Sequence, residues 1–335
     1  MDTGPTGLGD DSDDERATGL VPTSPGWPVT RREVLAAVGG AGLTSAVGAQ
    51  NAATVHTDAA EHGDVRVRVY PGVVPLHARV WYGTDDLRGV WPEPLAAAAN
   101  AIEDAFDQVL AYAREHGRLA DLELYIERGD RIRFPPTETP FSSEAVLPSL
   151  ETVLERFRDR LRARDALDGR TCHVLLDWSP LNYRVGYGGT LSPHATVGTE
   201  HDGTSGDAQA VANVGATEVW DSRAVTRNMV IHETLHTFLE ADVVTAIDDA
   251  VCDHELGAAV SNGDGTLRVS PMATAYAGPD RIGGGTRFHG TGCGDRSRFY
   301  RHDGLEGIDE WTYTTGLSDA TCEGVTRTLE RRFEA

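Results

Sequence analysis

Lysine is absent from the 335 residues, so all 30 basic side chains are arginine; they face 52 Asp plus Glu, and the formal net charge is -22. A surface this acidic repels nucleic acid and anionic membranes, which argues against both as partners. Long apolar runs are missing as well: beyond the N-terminal region no stretch is long enough to span a bilayer, so stable membrane insertion is not expected. Cysteine is scarce, with only Cys172, Cys252, Cys293 and Cys322, and no C-x-x-C spacing occurs among them. A structural zinc knuckle is therefore not expected. Methionine occurs three times, and no internal repeat is evident.

What is present begins with an unpatterned leader rich in Gly, Asp, Pro and Thr over residues 1–30, a composition that reads as disordered. Thr30-Arg31-Arg32-Glu33-Val34-Leu35 then opens a weakly apolar run that ends at Val47-Gly48-Ala49. Paired arginines, a modest run of Ala and Gly and a small-residue cleavage site resemble a twin-arginine export signal. The resemblance implies a partner, the twin-arginine export machinery, and a folded protein delivered outside the cell or to its surface. Residues 1–49 would be leader and signal, with residues 50–335 as the mature domain, and no cysteine near residue 49 suggests a lipid anchor. Outside the cell an even number of cysteines favours disulfides. The expected pairs are Cys293 with Cys322 and Cys172 with Cys252. The acidic, lysine-free composition resembles that of proteins from extreme halophiles, of haloarchaeal type.

From residue 64 the pattern becomes regular. Val65, Val67 and Val69 alternate with Arg66 and Arg68, which predicts a half-buried strand. Residues 93–116 and 144–164 carry apolar side chains at helical spacing. Leu122, Leu124 and Ile126 alternate as a second strand, and Thr171 to Trp178 is a continuous apolar run suited to a central strand buried on both faces. Residues 179–208, rich in Gly, Ser, Thr and Asp, read as a long surface loop; Tyr183, Tyr187 and Gly188-Gly189 are placed to rim a cleft. Ala208 to Val219 reads as a further strand, and residues beyond 256 as turn-rich, closing with a helix near 318–333 capped by Ser318 or Asp319. Strands alternating with helices predict an α+β fold whose N-terminal half, to about residue 240, is α/β-like, followed by an irregular C-terminal half.

The segment His232-Glu233-Thr234-Leu235-His236 spells H-E-x-x-H, with Asp221 or Ser222 as the N-cap of its helix. Residues four apart on a helix are neighbours, so His232 and His236 can aim at one point, and Glu233 can reach a water held at an open metal position. Two imidazoles suit Zn²⁺, and a catalytic zinc takes a third protein ligand. Three residues downstream qualify. Asp242 stands ten residues after His232, but a chain turning away from the helix at Leu239 would have to do so without glycine, and a helix that ran on would rotate Asp242 away. Glu255 is nineteen residues past His236. His254 offers imidazole from a turn, and it is taken as the third ligand, with Asp242 and Glu255 as alternatives.

Ser270-Pro271-Met272-Ala273-Thr274-Ala275-Tyr276 follows, with one of the three methionines in a turn. Together with H-E-x-x-H this resembles the metzincin zinc metallopeptidases, over roughly residues 220–280. The resemblance implies a twisted sheet with packed helices, Zn²⁺ as cofactor, Met272 as the Met-turn beneath the metal, Tyr276 as a residue that contacts the metal or stabilises an oxyanion, and Glu233 as general base. The activity implied is hydrolysis of a peptide or protein substrate by metal-activated water. The chain departs from the metzincins at Leu239, where they have glycine, and in the added residues before His254. Two other functions stay open at this point: a non-catalytic exported binding protein or degenerate peptidase, and a zinc hydrolase of a non-peptide substrate.

Overall fold

The computed structural model describes residues 65–83, 90–135, 143–169, 171–191, 207–273 and 296–333. The export-signal arginines, the segments Gly283-Gly284-Gly285 and Gly290-Thr291-Gly292 of the stretch read as turn-rich, Cys293 and Tyr276 lie outside the described residues.

Five strands form the main sheet: β1 (Val65–Pro71), β2 (Leu124–Arg128), β3 (Thr171–Asp177), β4 (Gly188–Leu191) and β5 (Ala208–Asn213), in the order β2-β1-β3-β5-β4. All pair in parallel except β4, which runs antiparallel to β5 at the edge. The alternation of β1 works as expected: Val65, Val67 and Val69 are buried in the larger core, while Tyr70 faces the opposite one. Every residue of β3 from Thr171 to Leu176 is buried, as a central strand with helices on both faces requires.

Eight α-helices occur among the described residues: α1 (Leu76–Tyr82), α2 (Glu93–Glu115), α3 (Ser143–Val146), α4 (Leu150–Arg162), α5 (Val214–Trp220), α6 (Arg223–Leu235), α7 (Ala241–Thr245) and α8 (Asp319–Phe333). On one face of the sheet α2, α6 and α8 share the large core, with Phe106 of α2 edge-on to Phe238, 4.8 Å between ring centroids. On the other, α4 sets Val153, Leu154, Phe157 and Leu161 against Tyr70, Leu175 and Val211. No helix among the described residues is long and apolar enough to cross a membrane.

Four expectations need correction. The helix expected over 144–164 is two helices, because Pro148 interrupts the run and Ser149 starts anew by accepting from the Thr152 amide at 3.1 Å. The strand expected to reach Val219 stops at Asn213, whose side chain accepts from the Ala216 amide at 3.1 Å and caps α5. The loop expected over 179–208 contains β4. The C-terminal half is not irregular: β6 (Ala258–Ser261), β7 (Thr266–Val269), β8 (Arg301–His302) and β9 (Glu310–Tyr313) make a second sheet in the order β8-β6-β7-β9. Its own core is built on Ala259, Leu267, Val269, Ala273 and Phe299. Both expected disulfide pairings also fail, since Cys172 and Cys322 are free and buried.

Candidate metal centre

Helix α6 carries the H-E-x-x-H motif. Ser222 caps it, accepting from the Val225 amide at 3.3 Å, and Val230, Ile231 and Leu235 bury its inner face. Asn228, one turn before His232, donates from Nδ2 to the carbonyls of Val269 (3.2 Å) and Thr314 (2.7 Å), which fastens the helix to the second sheet. The helix ends at Leu235. The chain then tightens through Thr237 N to Thr234 O (3.1 Å) and Phe238 N to Leu235 O (2.9 Å), so it leaves the helix early, without glycine and without a positive φ at Leu239.

The early exit brings His254 to the motif. It sits in a 3-10 turn, Asp253–Leu256, and His232, His236 and His254 present ligand atoms all within 4.8 Å of one another. The Nε2 atoms of His232 and His236 are 3.0 Å apart, and the three ring centroids are separated by 4.4, 5.0 and 4.8 Å. The Nδ1 atoms point elsewhere: His232 donates to the Pro271 carbonyl at 2.8 Å and His236 to Asp253 Oδ2 at 2.5 Å, while His254 Nδ1 lies 3.3 Å from Asp253 Oδ1. An acceptor on Nδ1 fixes the proton there and leaves the Nε2 lone pair free, as a metal ligand requires. Tetrahedral zinc–nitrogen bonds of about 2.0–2.1 Å imply nitrogens roughly 3.3 Å apart, close to the 3.0 Å between the Nε2 atoms of His232 and His236. The three imidazoles therefore fit a transition-metal ion.

The other two candidates for third ligand are engaged elsewhere. Asp242, exposed on α7, pairs with Arg331 of α8. Glu255 is buried but accepts from Arg298 Nε at 2.8 Å on one oxygen and from the Val251 amide at 2.9 Å on the other. Met272 is fully buried in a short 3-10 turn, Pro271–Ala273, and the residue before it supplies the carbonyl that orients His232. Gly257 is what lets that turn approach, because a Cβ there would lie 2.3 Å from the Ala273 nitrogen.

Glu233 is buried against β4. A Cβ on Gly188 would stand 2.6 Å from Glu233 Cγ and 2.3 Å from the Val211 carbonyl oxygen, so the strand reaches the carboxylate only because that residue is glycine. Burial pushes Glu233 up to about 7, with His236 pulling it down and the Asp253 charge adding to the rise. Burial also lowers His232 well below the ordinary imidazole range and His254 to about 4, in both cases with the neighbouring rings contributing. His236 goes the other way: burial lowers it, but the Asp253 hydrogen bond and charge outweigh that and hold it raised. Asp253 is held well below the usual carboxylate range, its burial overcome by the His236 bond and the surrounding rings.

Asp253 and the Pro271 carbonyl are the parts of the centre that sequence reasoning missed; Gly188 was read as cleft rim, but not as the residue that lets β4 approach Glu233. An Asp beside a His in a polar run gives no signal of its own, whereas a Gly pair between two strands could have suggested a close approach. Compared with protein families and with curated proteins, the chain matches no family model and no curated protein.

Proposed function

We propose that the protein is an exported, zinc-dependent metallopeptidase of metzincin-like type, with His232, His236 and His254 as ligands. The observation that carries this is the convergence of three imidazoles, each with Nδ1 engaged, beside a buried glutamate. When bound, zinc supplies Lewis acidity toward a water and a carbonyl oxygen. Glu233 then acts as general base: raised to about 7, its carboxylate can take the proton of the attacking water near neutral pH and hand it to the leaving amine. The support for a peptide substrate is β4. Among the described residues it pairs with β5 alone and it lies against Glu233, so a strand able to take up an extended peptide by main-chain pairing adjoins the motif helix. The parallel sheet with one antiparallel edge strand and the buried Met272 turn also agree with a metzincin-like fold.

The test is zinc content and hydrolysis of an unfolded protein substrate, on wild type and Glu233→Gln together. The expected result is one zinc per chain in both, with hydrolysis lower in Glu233→Gln by about 10²–10⁴-fold. Undiminished hydrolysis in the variant removes Glu233 from the mechanism; zinc binding without hydrolysis of any peptide favours a binding role.

A further inference from the structure

We propose that Asp253 is a shared positioning residue, one carboxylate that sets the tautomer of two metal ligands at once. The proposal rests on the metal-centre reading above. The two oxygens face different rings: Oδ2 hydrogen-bonds His236 Nδ1 at 2.5 Å, and Oδ1 makes a charged contact with His254 Nδ1 at 3.3 Å, a nitrogen that also lies 3.9 Å from Cys252 Sγ. An ionised carboxylate only accepts, so it favours the proton on both Nδ1 atoms and leaves both Nε2 lone pairs free to ligate. The remaining ligand, His232, receives the same instruction from the Pro271 carbonyl, which also only accepts.

Asp253 can do this for two rings because its own position is over-determined. It opens the 3-10 turn that carries His254, so the carboxylate and one of its clients share a backbone. The turn is held at Glu255 by Arg298 and by the Val251 amide, and at the Leu256 carbonyl by the hydroxyls of Ser318 and Thr321, the latter at 3.0 Å. The far client, His236, caps the end of α6. Asp253 thus joins the motif helix to the turn through the ligands themselves, and the orientations of His236 and His254 are coupled.

This geometry separates two substitutions that a purely structural role would rank the other way. In Asp253→Ala, water can take either Nδ1 proton and both rings keep access to the ligating tautomer. In Asp253→Asn, one side of the amide is an NH₂ group that only donates. The ring facing it must accept on Nδ1 and carry its proton on Nε2, which removes that ring's lone pair from the centre.

The experiment measures zinc affinity by chelator competition for wild type, Asp253→Ala and Asp253→Asn, with imidazole ¹⁵N spectra of the zinc-free proteins and far-UV circular dichroism as a check on folding. Zinc affinity is expected to fall about 10–100-fold in Asp253→Ala and further in the near-isosteric Asp253→Asn. The zinc-free wild type should show His236 and His254 protonated on Nδ1, and Asp253→Asn should show one of them switched to Nε2. With the spectra read at a pH where the rings are neutral, either ring protonated on Nε2 instead of Nδ1 in the wild type, or zinc held by Asp253→Asn as tightly as by wild type, overturns the proposal. A wild type that binds no zinc refutes the metal centre instead, and the spectra of the zinc-free protein still decide the role of Asp253.

Discussion

Among the described residues, two buried histidine–carboxylate groupings have opposite consequences. In β3, His173 lies with Nδ1 3.0 Å from the Tyr70 hydroxyl and Nε2 3.2 Å from Asp207 Oδ2. Asp207 also accepts from the backbone amides of Asp168 (2.8 Å) and Thr171 (3.1 Å), and burial pushes Tyr70 up to about 12, so its hydroxyl stays a neutral donor. Both nitrogens of His173 are spent, and the proton belongs on Nε2, beside the carboxylate. At the metal centre only Nδ1 is spent and the proton sits there. Burial and a nearby carboxylate are common to both places; which nitrogen is left over distinguishes a ring that fastens the core from a ring that can hold an ion.

The sharpest way to break this contrast is to remove one ring from each place. His254→Ala should weaken zinc binding by at least about 100-fold, since a ligand contributes more than its outer-shell partner, and should leave the stability of the zinc-free protein nearly unchanged. His173→Ala should do the reverse: zinc affinity unaltered, but stability lower by about 2–4 kcal/mol, because Tyr70 and Asp207 lose a buried partner. Chelator competition and denaturant unfolding of both variants decide it; loss of zinc in His173→Ala would show that the two groupings are not separate.

A smaller effect concerns the cost of burying Glu233. Its folded value near 7 lies above the ordinary 4.5, so the folded state holds the proton through a window in which the unfolded chain has released it. Stability of the zinc-free protein therefore falls as pH rises from about 4.5 to 7 on account of this group. Glu233→Gln removes the loss. The variant should be more stable than wild type by on the order of 2–3 kcal/mol at pH 8 and equal to it at pH 4.5, as read from urea midpoints at the two pH values. A difference that does not change with pH would refute the burial argument.

The smallest expected effect is at Asp242. Among the described residues its side chain pairs with the exposed Arg331, and Asp242→Ala should leave zinc affinity within measurement error of wild type. Loss of zinc in that variant would move the third ligand from the turn to α7.

How much of this was legible beforehand follows from the range of each interaction. The two motif histidines and Glu233 are four residues or fewer apart, so helical spacing alone brings them together. His254 was reachable only through the chemical need for a third ligand, and its position depends on α6 ending at Leu235, which capping signals did not announce. Asp253 was invisible because its partners are seventeen residues back and one residue on. Strand β4 was hidden by Gly188 and Gly189, which lower strand propensity yet are required here by the close approach of Glu233 on one side and Leu150 on the other. The second sheet was hidden by size: its strands are four residues or fewer, set among Gly and Asp turns, too short for alternation to stand out. The long elements α2, β3 and α8 were readable because their apolar spacing runs for seven residues or more.

The hydroxyls of Ser318 and Thr321 on the Leu256 carbonyl have a consequence for when the centre comes into being. The turn that offers His254 is gripped by the cap of α8, some sixty residues further along the chain. A nascent chain that has folded as far as the motif helix already owns His232, Glu233 and His236, but not a fixed third ring. Competence to hold a metal ion is thus deferred until the residues of α8 have been made. Deleting residues 318–335 should leave a chain that binds zinc more weakly than the full protein, and equal affinity would show that the turn stands without α8.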